Sequence, residues 1–217
     1  RALLRPGRLP GRLSLSIAGE RFERDLGDAA DYLPEQWERD RGWHLDDTDV
    51  PGPRQRIVKE LHPLLGGLPA AERESVMEQL RQWARVPDDV RPGYGTLTRD
   101  DVVNLAQSGL IDIGAHTVTH PMLPRLSTRE QLSEIADSKR QLESLIGRPI
   151  TQFAYPYGWH GDDSLSAVRE AGFSGACSLI PVALRRGWDT YRIPRLCSRM
   201  WTGDQMSQRL DAWFAGR

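Results

Sequence analysis

Ile111-Asp112-Ile113-Gly114-Ala115-His116-Thr117-Val118-Thr119-His120-Pro121 is the stretch on which the reading of this chain turns. Isoleucines at 111 and 113, backed by small Gly114 and Ala115, predict a short strand. Pro121 has no N–H to give to a ladder, so regular structure is expected to stop there. The strand thus ends in two histidines four residues apart. In α/β proteins chemistry collects at the carboxyl ends of strands, and neutral imidazole is the commonest metal-ligating side chain. One helical turn between residues 116 and 120 would bring both rings to one point. Spacing alone leaves a second reading open, with one buried, hydrogen-bonded histidine and one on the surface.

A second motif follows at Phe153-Ala154-Tyr155-Pro156-Tyr157-Gly158. Residues 153–155 suit another short strand. Pro156 and Gly158 then force a tight turn, where backbone N–H groups can face a cleft. Taken alone, this is equally an ordinary aromatic turn at a strand end.

Together the two stretches resemble the polysaccharide deacetylases, the NodB-homology family of carbohydrate esterases. His-Thr-x-x-His at 116–120 is similar to the family's metal-binding motif, and Tyr155-Pro156-Tyr157-Gly158 to its substrate-groove motif. Further similarity lies in Leu97-Thr98 to Gly109-Leu110, Gly147-Arg148-Pro149, Glu170-Ala171-Gly172-Phe173 and Tyr191-Arg192-Ile193-Pro194-Arg195. The resemblance runs over residues 94–214, and the order and spacing of the motifs make it specific.

The resemblance implies metal-assisted removal of N-acetyl groups from amino-sugar polysaccharides or oligosaccharides. His116 and His120 would hold a divalent metal, zinc above others. The turn at Tyr157-Gly158 would give a backbone N–H to the developing oxyanion, with Tyr157 as the donor residue. Tyr155, Pro156, Tyr157 and Gly158 would line the sugar groove, the two tyrosines offering flat faces to a ring. Thr117 would tie the ligand loop together through its hydroxyl.

Several expected parts are missing. A catalytic zinc takes three protein ligands and a water; the family draws the third ligand and the general base from an Asp-Asp-Gly motif, which is not found in this sequence. Asp46-Asp47 is preceded by no apolar strand and followed by Thr48 rather than glycine, so capping and turn solvation are its expected roles. The family's late Leu-x-His is absent, His160 being the last histidine, and Ala154 stands where an arginine is often found. The chain therefore reads as the carboxyl-terminal part of a longer deacetylase, weak or inactive alone. His160 lies two residues past the turn and is expected at the surface.

With 29 basic and 30 acidic side chains among 217 residues, the chain lacks the charge footprint of a nucleic-acid binder or a polybasic membrane surface. No apolar run is long enough to cross a bilayer. Arg1-Ala2-Leu3-Leu4 reads as the tail of a helix stopped by Pro6-Gly7, not as a signal peptide. The compartment stays open. Cys177 and Cys197 are expected as free, buried thiols on two strands, with a disulfide between them as the open alternative.

Before the motifs, alternation at Leu13, Leu15 and Ile17 around Ala18-Gly19 predicts a hairpin over 13–26. Helices are predicted over 28–43, 54–65 and 69–84, followed by a Pro/Gly-rich linker at 86–95. Residues 1–93 thus read as a mostly helical insertion segment. Residues 94–217 read as the family's part: a helix opened by Thr98, the His strand, a long helix from Ser127 to Gly147, the 153–155 strand, a helix from Asp162, strands at 175–179 and 191–196, and a last helix over 202–215 with Met206, Leu210, Trp213 and Phe214 inward. The expected fold is α/β, an incomplete distorted (β/α) barrel. Two other functions compete: a non-catalytic carbohydrate-binding protein on the same scaffold, and a helical interaction protein working through residues 28–84.

Overall fold

The computed structural model describes residues 2–86, 95–198 and 201–215. The chain divides into two compact units, Arg1–Gly95 and Thr96–Arg217. The predicted linker falls mainly on residues 87–94, outside the described residues.

The first unit contains β1 (Gly7–Arg8), β2 (Arg12–Ile17), β3 (Glu20–Asp25), β4 (Asp31–Tyr32), α1 (Pro34–Asp40), α2 (Pro53–Gly66) and α3 (Ala70–Ala84). β2 and β3 form the expected antiparallel hairpin, closing on Ala18 and Gly19 with φ of 50° and 81°. Two positive φ values in a two-residue loop match the twist of the flanking strands. Leu13, Leu15 and Ile17 point from one face of β2 into a core with Ile57 and Leu61 of α2 and Val76, Leu80 and Ala84 of α3. Each strand contributes every second residue and each helix every third or fourth, as the two periods require. Trp83 anchors α3 to the hairpin by donating its indole N–H to the Arg12 carbonyl at 2.7 Å.

Residues 28–43 do not make the single predicted helix. Residues 27–30 form a 3-10 turn, β4 pairs with β1, and only Pro34–Asp40 is α-helical. Pro34 sets the start: its ring suits the first helical position, and Leu33 before it is extended. The predicted tail of a helix at residues 1–4 is a turn over residues 2–4, with Leu3 buried.

The second unit contains α4 (Arg99–Gln107), α5 (Thr128–Ile146), β5 (Gln152–Ala154), α6 (Asp162–Glu170), β6 (Gly175–Cys177) and α7 (Gly203–Ala215). Thr98 and Asp101 cap α4 reciprocally, and Ser127 and Glu130 do the same for α5. Gly147 ends α5 at φ 70°. Four parallel neighbours stand in sequence order: Ala115 bridges Phe153, β5 pairs with β6, and Cys177 bridges Ile193. α5 and α6 connect the first three. This is an α/β arc of barrel staves, and no closed barrel forms among the described residues. Its core joins Ala115, Ile135, Phe153, Tyr155, Val168 and Ala176.

The strands are shorter than expected. The predicted strand at 111–115 makes a single ladder contact, at Ala115. Leu110 and Ile111 stand 92% and 46% exposed, and among the described residues no strand pairs on the side away from β5. One-sided pairing and unburied apolar groups leave residues 111–114 without a reason to hold register. The stretch 191–196 likewise bridges only at Ile193, since Pro194 has no N–H to continue the ladder. Cys177 is half-buried on β6, while Cys197 is exposed and off any strand, which corrects its expected burial; neither is in a disulfide. On α7, Met206, Leu210 and Trp213 are half-buried rather than buried, and Phe214 is exposed. No helix is long and apolar enough to cross a membrane among the described residues.

Candidate functional site

The Ala115 ladder contact decides where the histidines go. Ala115 donates its N–H to Gln152 O at 2.9 Å, and its carbonyl accepts from Ala154 N at 2.9 Å. Gly114 just before it packs closely on β5, since a Cβ there would lie 3.3 Å from the Gln152 carbonyl oxygen, a tight contact. His116 is thereby set at the carboxyl end of β5, with Nδ1 2.7 Å from Ala154 O. A carbonyl oxygen only accepts, so Nδ1 carries the proton of the neutral ring and Nε2 is left as the nitrogen a metal would take.

The segment to His120 is not the helical turn expected. Thr117 and His120 adopt the left-handed region at φ 63° and 57°, a conformation costing a non-glycine residue on the order of 1 kcal/mol. Hydrogen bonds hold it. Thr117 Oγ1 donates to His116 O at 2.6 Å and accepts from His120 N at 3.1 Å. Glu134 of α5 accepts from Val118 N and Thr119 N through Oε2, at 2.8 and 2.9 Å, and from the Thr119 hydroxyl through Oε1 at 2.7 Å. The two imidazoles still meet: their centroids are 4.8 Å apart with the rings at 73°. Both histidines are exposed.

The 155–158 bend lies beside them. The His120 and Tyr157 ring centroids are 4.7 Å apart. Residues 156–158 form a 3-10 turn in which Tyr157 has φ 58° and Gly158 φ 71°. A Cβ on Gly158 would fall 2.5 Å from Leu179 Cβ and 2.6 Å from Leu179 N, so only glycine fits. Gly158 N–H is donated to Tyr155 O at 2.9 Å, so it is committed within the turn. Pro156 is fully buried.

Tyr155 takes a different place from the one expected. Its side chain is fully buried, its hydroxyl donates to Tyr191 O at 3.0 Å, and its ring stacks against His160 at 4.6 Å. Burial raises its pKa above the ordinary tyrosine range. The ring is a pillar of the core and offers no face to a sugar. The aromatic faces near the site are instead Tyr157 and Trp159, 6.5 Å apart, with Trp159 53% exposed. Trp159 was missed because nothing in an isolated tryptophan after a turn says which way it points. His160 is half-buried, its Nδ1 3.0 Å from Gly158 O. Glu134 was missed too: α5 carries several acidic residues, and no sequence period distinguishes the one aimed at the loop.

A cleft of about 620 Å³ opens beside His116, between Gly114, Thr117 and Val118 and the α5 residues Ser138 and Gln141. Two imidazoles with the right tautomer logic fit part of a metal shell. Among the described residues, however, no group of three or more His, Cys, Asp or Glu side chains could hold an ion, and a zinc site ordinarily needs that third protein ligand. In the first unit, Asp47 Oδ2 accepts from His44 N at 2.8 Å, a turn role in line with the expectation for the Asp46-Asp47 pair.

Residues 76–176 match the family model described as polysaccharide deacetylase. The curated "Putative polysaccharide deacetylase YxkH" of Bacillus subtilis (strain 168) is 31% identical over 100 residues, which are 46% of this chain and 36% of that protein. Among solved structures, the Streptococcus pyogenes deacetylase PplD in complex with acetate is similar over 54% of this chain and 52% of its own, at 22% identity and a TM-score of 0.47. BC0361, a polysaccharide deacetylase from Bacillus cereus, is similar over 63% and 48%, at 20% identity and a TM-score of 0.49. The chain thus spans about a third of its curated relative and about half of these structures.

Proposed function

We propose that this protein, whose residues 76–176 match the family model described as polysaccharide deacetylase, takes part in the metal-dependent hydrolysis of N-acetyl groups on amino-sugar polysaccharides or oligosaccharides. The observation that carries the reading is the meeting of the His116 and His120 rings at 4.8 Å, with the Tyr157 bend against His120. His116 and His120 would hold a divalent metal, zinc in this reading. Such an ion supplies Lewis acidity toward an amide carbonyl. Tyr157 N–H would donate to the developing oxyanion, and the Tyr157 and Trp159 rings would support the sugar. The imidazoles form an incomplete ligand set without an assigned general base, so turnover by these residues alone is expected to be weak or nil.

The deciding test is zinc titration by calorimetry. Saturable binding that disappears in His116→Ala and in His120→Ala supports the reading; a wild-type signal no different from the double variant overturns it. Acetate release from chito-oligosaccharides with added zinc then reports whether the chain turns over.

One observation favours a second reading. An aromatic pair, half-buried Tyr157 and exposed Trp159, beside an incomplete ligand set suits a carbohydrate-binding protein without chemistry. Such a protein would bind oligosaccharide equally well in the presence of a chelator.

A further inference from the structure

We infer that Glu134 is the positioning residue of the histidine pair: it fixes the 116–120 loop in the conformation that brings the two rings together. The inference rests on the metal reading of His116 and His120 for its zinc consequence, and on hydrogen bonds alone for its structural one. Between Thr117 and His120 the backbone has two residues, Val118 and Thr119. Both of their N–H groups go to one oxygen of the Glu134 carboxylate, and the Thr119 hydroxyl goes to the other. The residues on either side, Thr117 and His120, are the two held at positive φ. A loop with left-handed residues at both ends persists only when its middle is over-determined. Charge-assisted bonds from a carboxylate to successive backbone N–H groups are of the stronger kind.

The anchor is also rigid. Glu134 sits next to Ile135, which is fully buried in the core of the second unit, on a helix capped at both ends. The loop is therefore tied to α5 through Glu134 and to β5 through the His116–Ala154 contact. These two ties set the position of His120 relative to His116. Glu134 touches no reacting group in this arrangement; it acts through the loop.

Three variants separate positioning from simple charge. Glu134→Gln keeps the length and an acceptor oxygen for both N–H groups, and the Thr119 hydroxyl can turn to accept from the amide. Glu134→Asp keeps the charge but withdraws it by one methylene. Glu134→Ala removes both. Positioning by geometry makes Gln resemble wild type and makes Asp resemble Ala; a charge effect reverses that order. The readouts are amide hydrogen exchange at Val118 and Thr119, the nuclear Overhauser contact between the two imidazoles, and zinc affinity by chelator competition. The expected result is lost protection and lost ring contact in Ala and Asp, with zinc bound about 10- to 100-fold more weakly, and near recovery in Gln. Unchanged exchange and ring contact in Ala and Asp would overturn the inference, as would the charge order. If Ala does not fold, Asp and Gln carry the comparison. If wild type binds no zinc, the metal reading fails, while exchange and ring contact still decide the role of Glu134.

Discussion

The carbonyl oxygen of Ala154 lies 2.7 Å from Nδ1 of His116, so the first candidate ligand is bonded to the strand that leads into the bend. A metal-ligating histidine is ordinarily oriented in this way through its other ring nitrogen. His116→Asn preserves a donor to Ala154 O but removes the ligand nitrogen. It should retain the melting temperature of the wild type within about 2 °C and lose zinc binding in calorimetry.

Gly158→Ala should destabilise the second unit. It combines a left-handed backbone with a Cβ 2.5 Å from Leu179 Cβ. The conformational penalty is about 1 kcal/mol and the overpacking adds about 1–3. A denaturant midpoint that does not move would contradict the contact.

Trp159→Ala should weaken oligosaccharide binding by roughly 2- to 12-fold, the range expected for losing one aromatic stacking partner. Stability should stay within about 0.5 kcal/mol, because the side chain is more than half exposed. Titration with and without chelator measures the effect and also separates the two readings of the site.

Arg54 is buried, and among the described residues no carboxylate makes an ion pair with it. It donates to five carbonyls, those of Leu3, Arg5, Gly7, Ala29 and Ala30, and its guanidinium lies over Tyr32. Desolvation lowers its pKa, yet a guanidinium stays protonated at any ordinary pH. Arg54→Met removes a donor from each of these buried or part-buried carbonyls and should cost about 3–5 kcal/mol in chemical denaturation. Arg54→Lys should recover only part of this, since an ammonium cannot fork to five acceptors.

Acid should weaken the first unit through Asp40. The Arg39 guanidinium holds its carboxyl below the usual value, desolvation opposes this, and Tyr32 and Gln55 add hydrogen bonds. A depressed folded pKa means that the stabilisation is fully present above the unfolded value and is lost as pH falls through the folded one. Stability should therefore decline below about pH 4. Asp40→Asn should be less stable at neutral pH and flatter with acidification, as followed by melting temperature against pH.

The sequence disclosed the parts of this protein that rest on local rules. Alternation located the β2–β3 hairpin, reciprocal caps located the starts of α4 and α5, and Gly147 located the end of α5. It was misleading where tertiary partners decide. Ile111 looks like a strand residue but, among the described residues, has no ladder to join. Tyr155 looks like a groove residue by motif, yet Tyr191 O and the His160 ring hold it inside. The four-residue spacing of the histidines suggested a helical turn; Glu134 and the Thr117 hydroxyl produce the same meeting of rings through a different backbone path.

Ala115, α5 and β5 form one parallel crossover, and the bend follows β5 directly. Both histidines, Glu134, Ala154 and Tyr157 therefore belong to a single contiguous segment of 43 residues, 115–157, with Leu179 and Tyr191 as outside props. Such a segment is a natural cooperative unit of opening. The candidate site should be gained and lost as one cassette, appearing as a block of amides that exchange together and travelling intact when the crossover is grafted onto another parallel α/β scaffold.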